Sequence, residues 1–550
     1  MKDFDVFCAM IDCSRNGVMS VAAFKKAVPV FAAMGYNALM LYTEDTYEIP
    51  GEPFFGYKRG RYSLAELKEM DDFAFENGIE LIPCIQTLAH MQNIFRWPCY
   101  GEIRDMAGTM LADSEKTYAF IEKMIRTARA CFRSRRIHIG MDEAYHLGRG
   151  NYLDLHGSAD RYEVLLRHLG RVCEIAEKYD FRPLLWNDMF FKMETGEFLN
   201  VDVSEAPAPV YFSERVRKSV PAGVGLCHWD YLGISEKHYE NMLSSTKQLA
   251  EEVWFAGGVY DTMNFAPENR LSMLCHSKSI PVCRKLGVRN VIITIWGDVG
   301  KDCATMAALP GFMYAAGIAR GLSDEEIREE FLRITGEDFD EMLLLDAPND
   351  IYGTCAPERR ANYAMTRFYN DPFLGLMDLN ASPEVNGGRG DGKKADRAIF
   401  GEYAEKLHRL AEKSSRFGYL YEKEACLCAV LEKKFDLGTR TRALYAAGDK
   451  AGLSDLAESD YAALPGLISA FHEAFRREWY EENKGFGWEI QDMRLGGVRQ
   501  RVETCRQSLL DYCDGKISGI EELEEPVLPA DGDFVWFWRN MISACPHGGE

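Results

Sequence analysis

The amino-acid sequence predicts a (β/α)8 TIM barrel followed by an α-helical C-terminal region. Three observations lead to this fold class. The first 320 residues alternate between short apolar runs and longer amphipathic segments, the alternation occurs eight times, and the strand-like runs nearly vanish from about residue 321. Repeated strand–helix alternation is typical of a parallel sheet covered by helices, and eight such units close a barrel. We therefore expect a barrel over residues 1–320 and a helical domain over residues 321–550.

The predicted strands are short runs rich in β-branched or apolar residues. They are Phe4–Ile11, Ala38–Tyr42, Ile79–Ile85, Arg136–Met141, Arg182–Trp186, Gly223–His228, Glu252–Phe255 and Asn290–Ile295. A doubly wound open sheet is the alternative arrangement, and it usually carries a glycine-rich phosphate turn after its first strand. Residues Asp12–Asn16, which follow the first run here, do not form that motif.

Amphipathic segments between the strand runs predict the helices of the barrel. They are Ser20–Met34, Ser63–Asn77, Ser114–Phe132, Arg161–Tyr179, Ser235–Leu249 and Glu268–Leu286. Serine N-caps and glycines that follow the helix ends support these bounds, at Ser20, Ser63, Ser235, Gly35, Gly78 and Gly287.

The C-terminal region is dominated by charged helical segments. They are Asp324–Ile334, Lys393–Glu424, Leu431–Asp449, Tyr461–Glu482 and Gly497–Tyr512. The glycine-rich loop Asn386–Lys393 imitates the spacing of a phosphate-binding loop. Lys394 stands where Ser or Thr would hold magnesium, and no strand precedes the loop, so we expect a solvated turn.

Composition narrows the classes of function. The 550 residues include 64 basic and 85 acidic side chains, a formal net charge of −21, which disfavours binding to nucleic acid or to anionic membranes. The 16 cysteines are scattered, as is typical of reduced thiols in a large chain. Asp3 and Asp5 interrupt any signal peptide, and no run of 18 apolar residues occurs. We therefore expect a cytoplasmic protein without disulfides.

The fourth strand run ends in an adjacent pair of carboxylates, in His138-Ile139-Gly140-Met141-Asp142-Glu143. Two adjacent carboxylates cannot both be desolvated cheaply while ionised, so their pKa values should differ and separate an acid from an anion. A capping pair at the start of the next helix is the structural alternative. The location favours chemistry, because barrel active sites lie at the carboxyl ends of the strands.

Further polar and aromatic residues follow the other strand runs. They are Arg15, Glu44, Asp45, His90, Trp186, Asp188, Trp229, Asp230, Tyr231, Trp254, Trp296 and Asp298. Aromatic rings stack on the apolar faces of pyranoses, while carboxylates and arginine bind their hydroxyls. This composition therefore indicates a sugar-binding pocket at the strand ends.

The pattern His138-x-Gly140-x-Asp142-Glu143 resembles the signature of glycoside hydrolase family 20, the β-N-acetylhexosaminidases. The resemblance covers about residues 4–320 and is closest to the shorter branch without an extra N-terminal α/β domain. Residues 321–550 resemble the helical extension of that branch. It implies an exo-acting, retaining hydrolase that removes terminal β-linked GlcNAc or GalNAc. The nucleophile in this family is the substrate's own 2-acetamido oxygen, which forms an oxazolinium intermediate.

The resemblance also implies the catalytic roles. Glu143 would be the general acid and then the base. Asp142 would hold the acetamido N–H and stabilise the oxazolinium charge, and the Tyr231 hydroxyl would orient the acetamido oxygen. Asp45 and His90 would form a relay that tunes Glu143, because a general acid should titrate near the working pH.

Substrate-binding roles follow from the same resemblance. Rings that would enclose the acetamido group and the sugar are Trp186, Trp254 and Trp296, with Trp229 and Asp188 as further contacts. Arg15 and Asp298 would bind the outer hydroxyls. The chain departs from the family in having Ile82–Thr87 in place of an acidic stretch and Trp296-x-Asp298 in place of Trp-x-Glu. The shorter carboxylate leaves the preference between GlcNAc and GalNAc open.

This chemistry requires no cofactor and no metal, and His138, His146 and His156 lack the spacing of a helical zinc motif. The expected partner is a small glycan or glycoconjugate, and base rates for soluble enzymes favour a homodimer. Two alternatives stay open. One is a retaining barrel glycosidase whose Asp142 or Glu143 attacks the sugar directly, and the other is a non-catalytic carbohydrate-binding protein.

Overall fold

A closed barrel of parallel strands forms the first part of the molecule. The computed structural model describes residues 3–196, 206–261, 264–350, 364–379, 397–528 and 538–545. Eight strands pair in chain order, and the last pairs with the first. They are β1 Val6–Asp12, β2 Ala38–Tyr42, β3 Glu80–Cys84, β4 Arg136–His138, β5 Arg182–Trp186, β6 Gly225–Trp229, β7 Val253–Gly258 and β8 Asn290–Ile295. The predicted (β/α)8 barrel is confirmed, and each predicted run overlaps one strand.

Helices follow the strands as the sequence predicts. They are α1 Val21–Met34, α2 Leu64–Glu76, α3 Gln92–Phe95, α4 Glu115–Cys131, α5 Asn151–His156, α6 Arg161–Lys178, α7 Asp188–Thr195, α8 Glu214–Arg217, α9 Glu236–Thr246, α10 Asn269–Leu286, α11 Leu309–Arg320 and α12 Asp324–Thr335. The side chains of Ser20, Ser63 and Ser235 each accept an N–H from the first turn of the helix that follows. These three predicted N-caps are therefore confirmed.

Large apolar side chains fill the interior of the barrel. They include Met10, Met40, Tyr42, Ile82, Leu184, Trp186, Trp254 and Ile292, all of them buried. Trp229 and Trp296 are half-buried and pack against this cluster. Burial of each large side chain contributes about 1.5–3 kcal/mol. The interior is thus a packed core, and chemistry is confined to the strand ends.

The structure divides into two compact units. The first comprises Met1–Tyr260, Leu271–Trp296 and Leu309–Gly336, and the second comprises Asp261–Arg270, Gly297–Ala308 and Glu337–Glu550. The segments that follow β7 and β8 in the chain therefore belong to the second unit. A domain boundary at residue 320 stays a prediction.

The second unit is mainly helical, as the sequence predicts. Its helices are α13 Phe339–Met342, α14 Ala364–Tyr369, α15 Ala398–Lys413, α16 Gly418–Lys434, α17 Leu437–Ala446, α18 Lys450–Glu458, α19 Asp460–Glu482, α20 Trp488–Cys513, α21 Glu521–Glu524 and α22 Trp538–Ile542. The predicted helix Lys393–Glu424 is wrong as one element, because residues 414–417 separate α15 from α16. The glycine-rich loop Asn386–Lys393 lies outside the described residues.

A buried charged network organises the second unit. The ammonium group of Lys423 donates to the carbonyls of Phe265 and Asp302 and pairs with Glu478 Oε1 at 2.8 Å. The carboxylate of Glu482 accepts two backbone N–H groups, from Thr305 and its neighbour. Both carboxylates and the ammonium are buried, so each depends on these partners for its solvation. The network thereby ties the segments that follow β7 and β8 to α16 and α19.

The fifteen cysteines within the described part of the chain are all free thiols. Among the helices described there, none has the length and apolar character needed to cross a membrane.

Candidate active site

The backbone after β4 has an unusual conformation. Gly140, Met141 and Glu143 all have positive φ, of 71°, 70° and 52°. His138 Nδ1 accepts the N–H of Gly140 at 3.1 Å, and burial lowers the pKa of His138 to about 3, so its ring is neutral. A Cβ on Gly140 would lie 2.0 Å from Gln86 Oε1, so only glycine fits. Strained backbone of this kind clusters at functional sites, and here it presents the Asp142–Glu143 pair.

Asp142 is the buried member of the carboxylate pair. Its Oδ1 accepts from Gln86 Nε2 at 2.7 Å, and its Oδ2 lies 3.0 Å from His90 Nε2. Burial favours the neutral acid, but the imidazolium of His90 and the amide of Gln86 outweigh it and lower the pKa of Asp142. Burial disfavours a charged His90, yet the Asp142 carboxylate raises the pKa of that histidine to about 9. The two groups therefore form an ion pair at neutral pH.

Glu143 is the open member of the pair, since 41% of its side chain is exposed against 12% for Asp142. Its Oε2 lies 3.6 Å from His90 Nε2, so one imidazole contacts both carboxylates. Its backbone N–H donates to Asp188 Oδ2 at 3.0 Å, and Asp188 is the first residue of α7. Burial and the negative charge of Asp142 raise the pKa of Asp188 to about 8. The pKa values of Asp142 and Asp188 are thus shifted in opposite directions.

Arg15 is held at the carboxyl end of β1. Asp12 ends that strand, and its carboxylate accepts the backbone N–H of Arg15 at 3.2 Å and its guanidinium at 3.3 Å. The guanidinium also pairs with Glu44 at 3.3 Å. It lies over the rings of Tyr42 and Trp296, 4.8 and 5.0 Å from their centroids. Ion pairs and cation–π contacts on several sides fix the orientation of this cation.

An aromatic wall lines the ends of several strands. Trp186 ends β5, as predicted, and its ring centroid lies 4.3 Å from that of His138 and 6.2 Å from that of Trp296. The indole N–H of Trp186 is buried and has no hydrogen-bond partner within the described residues. Trp186 therefore belongs to the buried core, whereas Trp296 is half-buried and packs against that core.

Trp229 ends β6 and Tyr231 follows it, and their rings stack on each other, with centroids 5.5 Å apart and an angle of 18° between the rings. Between them in sequence, the buried Asp230 pairs with His238 and accepts the backbone N–H of Gly233 at 3.0 Å. This carboxylate shapes the turn that carries Tyr231. A Cβ on Gly258, the last residue of β7, would lie 3.0 Å from the Tyr231 ring, so a small residue there gives the ring room.

Two predicted site residues are corrected. Trp254 does not end its strand: β7 continues to Gly258, and Trp254 is fully buried with its indole N–H bonded to Glu252 at 2.8 Å. The predicted Asp45–His90 relay is not formed either. Asp45 pairs with Arg59 at 3.2 Å, while His90 contacts the carboxylates after β4.

Asp298 is exposed in the turn that follows β8, and this turn belongs to the second unit. Its predicted contact with outer hydroxyls stays a prediction.

Two polar residues that organise the site have no assigned role in the sequence-based prediction, although Glu44 is among the strand-end residues that it names. Gln86 bridges Tyr42 and Asp142 with its amide N–H2 and accepts the N–H of Met141 at 3.2 Å. Glu44 is buried and pairs with Arg15, and burial raises its pKa although the guanidinium opposes the rise. Both residues stand directly after strand runs. Their position after a strand run is the sequence feature that points to the site. No other feature of the sequence distinguishes Glu44 from Asp45.

One donor set in this region suits a metal ion, since atoms of His90, Asp142 and Glu143 lie within 4.8 Å of one another. A metal would have to displace the proton that His90 holds at neutral pH, because only the neutral imidazole is a ligand.

Comparison with known proteins gives two family matches. The model "Glycosyl hydrolase family 20, catalytic domain" matches residues 7–204, and "Glycoside Hydrolase 20C C-terminal domain" matches residues 340–536. Hexosaminidase D of Bos taurus is 24% identical over 297 residues, which are 50% of this chain and 80% of the relative. Hexosaminidase D of Homo sapiens is 26% identical over 200 residues, which are 34% of this chain and 41% of the relative.

Solved structures found by comparison include an exo β-N-acetylglucosaminidase from Vibrio harveyi, in complex with N-acetylglucosamine. It is 15% identical and has a TM-score of 0.44, and the match covers 62% of this chain and 58% of that enzyme. A chitobiase from Flavobacterium johnsoniae is 15% identical with a TM-score of 0.45, covering 86% of this chain and 78% of that one. The family matches accord with the strand-end carboxylate pair: this chain belongs to glycoside hydrolase family 20, and the protein is a glycoside hydrolase.

Proposed function

We propose that this protein is an exo-acting, retaining β-N-acetylhexosaminidase that removes terminal β-linked GlcNAc or GalNAc with assistance from the substrate. One observation carries the proposal. An ionised, buried Asp142 stands beside an open Glu143 at the end of β4, and a single histidine contacts both. Such a pair supplies a fixed anion and a proton donor side by side.

The first step forms an oxazolinium ion. Glu143 donates its proton to the glycosidic oxygen, and the bond between that oxygen and the anomeric carbon breaks. The carbonyl oxygen of the 2-acetamido group bonds to the anomeric carbon from the opposite face. Asp142 accepts the acetamido N–H and balances the positive charge that develops on the ring. Substrate assistance replaces the carboxylate nucleophile used by most retaining glycosidases.

The second step reverses the roles. Glu143, now a carboxylate, takes a proton from water, and the oxygen of that water bonds to the anomeric carbon. The bond to the acetamido oxygen breaks, and the sugar leaves with its β configuration retained. In both steps the Asp142 carboxylate lies beside the positive charge that develops in the transition state. Because this carboxylate is buried, it stabilises that charge more than a carboxylate in water would.

The environment of Asp142 supports its role as the anion. Its negative charge is stabilised by His90 at 3.0 Å and by Gln86 at 2.7 Å. A buried carboxylate with two such donors stays ionised through the cycle and needs no reorganisation when the oxazolinium forms. His90 acts as a positioning residue, because it reaches both carboxylates.

The sugar subsite is assigned to the surrounding strand ends. Trp186 and Trp296 would enclose the acetamido group and the ring, with Trp229 as a further wall. The Tyr231 hydroxyl would donate to the acetamido oxygen, since apolar sugar faces and polar edges suit this mixture. Arg15 would bind the outer hydroxyls. Asp188 supports the backbone of Glu143, and its Oδ1, which lacks a hydrogen-bond partner within the described residues, is available to a substrate hydroxyl.

The ligand is a neutral small glycan or glycoconjugate, consistent with a net charge of −21 that disfavours anionic partners. A homodimer and a cytoplasmic location are carried forward as predictions from the sequence.

Aryl β-glycosides with and without the 2-acetamido group test the proposal. The 2-acetamido substrate should be cleaved, and the 2-hydroxy analogue should be cleaved at least about a hundredfold more slowly. Asp142→Asn and Glu143→Gln should each lower kcat/KM by about a hundredfold or more. Equal cleavage of both substrates would instead indicate direct attack by a carboxylate. Cleavage of neither would favour a carbohydrate-binding protein.

Azide rescue tests the stereochemical course. Glu143→Ala with an activated aryl substrate and added azide should recover turnover and release a β-glycosyl azide, because azide replaces water on the face that the oxazolinium leaves open. An α-azide would show net inversion from substrate to product, as in a single direct displacement, and would contradict the two-step route.

A further inference from the structure

A three-residue donor cluster lies in the helical unit, on the hairpin formed by α15 and α16. His408 is on α15, and Glu422 and Cys426 are on α16. Residues four apart on a helix occupy the same face, so Glu422 and Cys426 meet His408 from one side. The three ligand atoms lie within 4.8 Å of one another.

The individual contacts bring the donor atoms close. His408 Nδ1 is 2.9 Å from Glu422 Oε2, and Cys426 Sγ is 3.8 Å from Glu422 Oε1. Around a tetrahedral zinc ion, a nitrogen and a sulfur ligand stand about 3.5 Å apart, as follows from their bond lengths of about 2.0 and 2.3 Å. The ligand atoms of His408 and Cys426 lie within 4.8 Å of each other, so a tetrahedral zinc ion would require them to approach by no more than about 1.3 Å.

The exposure of the cluster leaves one side open. About half of the His408 side chain, 46%, is accessible, and so is 33% of Glu422, whereas Cys426 is buried. A metal held here would have the helices on one side and water on the other. Three protein ligands with a fourth position left to water form a common zinc arrangement.

We propose that His408, Glu422 and Cys426 form a binding site for a transition-metal dication, with Zn2+ as the fitting ion. Imidazole nitrogen, carboxylate oxygen and thiolate sulfur together select zinc over magnesium and calcium, which take oxygen ligands alone. Binding replaces the Cys426 S–H bond by a metal–sulfur bond, and the proton goes to solvent. The metal cross-links α15 and α16, so it stabilises the helical unit independently of the proposed hydrolysis.

Cobalt titration of the full-length protein, first treated with a chelator and a thiol reductant, tests the site. One equivalent of Co2+ should bind and give the visible bands of a tetrahedral ion together with a near-ultraviolet cobalt–thiolate band. Zn2+ should displace the cobalt. One equivalent of Zn2+ should raise the Tm of the helical unit by about 5 °C.

Three variants assign the ligands. Cys426→Ser should abolish the thiolate band, while His408→Gln and Glu422→Gln should each weaken Co2+ binding by about tenfold or more. The last two side chains are partly exposed, so these variants keep the fold even if the buried serine does not. The control is His472→Gln, because His472 also pairs with a carboxylate on a neighbouring helix, that of Asp492 at 2.7 Å. This variant should leave Co2+ binding unchanged.

Two results would overturn the proposal. The first is the absence of Co2+ binding at micromolar concentrations. The second is binding without a thiolate band, which would place the metal elsewhere, for example at His90, Asp142 and Glu143, a donor set that contains no sulfur.

Discussion

Replacing His90 with glutamine should impair hydrolysis by removing the cation that keeps Asp142 ionised. Glutamine retains a hydrogen-bond donor but carries no charge, so the variant isolates electrostatics from positioning. In the native site, His90 Nε2 and Asp142 Oδ2 are 3.0 Å apart, and both side chains are almost entirely shielded from water. Salt therefore screens this pair only weakly.

The pKa of His90 gives the magnitude of the electrostatic interaction in free-energy terms. It lies at about 9 against the usual 6.5, even though burial alone would lower it. At 1.36 kcal/mol for each pKa unit, the surroundings favour the charged imidazole by roughly 3 kcal/mol. The same interaction acts in reverse on Asp142. Loss of the cation raises the pKa of Asp142, so the ionised fraction at a given pH falls and the acid limb of the activity profile moves to higher pH.

The assay is kcat/KM for an aryl 2-acetamido β-glycoside between about pH 2 and 10, because the pKa of Asp142 lies at about 2 in the native site. For His90→Gln we expect the acid limb to move up by about one to two pH units and the maximum to fall by about a hundredfold. His472→Gln, at an exposed histidine–carboxylate pair, is the matched control. A uniform loss with an unmoved acid limb would refute the electrostatic reasoning.

Three further predictions concern the site and its support. Gln86→Leu removes a donor to the Asp142 carboxylate and should lower kcat/KM by at least about tenfold, with kcat affected more than KM in steady-state kinetics. Asp188 has a folded-state pKa raised to about 8, so folding takes up a proton between about pH 4 and 8 and stability falls as the pH rises through this window. Urea unfolding at several pH values should show that Asp188→Asn removes this dependence of the free energy of unfolding on pH. An unchanged dependence would contradict the raised pKa of Asp188. Lys423→Met leaves Glu478 buried without its partner and should destabilise the helical unit by about 3–5 kcal/mol, with recovery when Glu478→Gln is added, as thermal unfolding of the single and double variants can check.

The barrel could be predicted because its signals are local. β-branched runs, serine caps and strand-terminal motifs are written in consecutive residues, so all eight strands and the main barrel helices follow from short windows. The residues at which the strands end are harder to predict from the sequence. Ala256-Gly257-Gly258 lacks bulky residues, so the sequence predicts a strand that ends at Phe255 and a pocket role for Trp254, although this tryptophan lies in the core.

The site required contacts between distant segments that sequence alone does not encode. Glu44 and Asp45 are adjacent and chemically alike, and only the fold shows that Arg59 engages Asp45 while Glu44 pairs with Arg15. Gln86 belonged to a segment that appeared only as a departure from the family pattern. Its role depends on Gly140, which lies 54 positions away and leaves room for the amide.

In the helical region, too, the sequence pattern does not determine where helices begin and end. The amphipathic pattern over residues 393–424 continues through the connection between α15 and α16, so periodicity does not reveal the break. Conversely, the predicted helix Gly497–Tyr512 begins too late, because α20 begins at Trp488 and passes through Gly496 and Gly497. Glycine in a helix costs about 1 kcal/mol, an amount that tertiary packing readily offsets.

The central claim is that the substrate's acetamido oxygen is the nucleophile. The most direct measurement is kcat/KM for one aryl β-glycoside whose N-acetyl group carries none, one, two or three fluorine atoms. Fluorine withdraws electrons from the carbonyl oxygen, so the account predicts that kcat/KM falls steeply with each added fluorine. Values that stay the same across the series would contradict it, because a carboxylate nucleophile would not sense the acetamido oxygen.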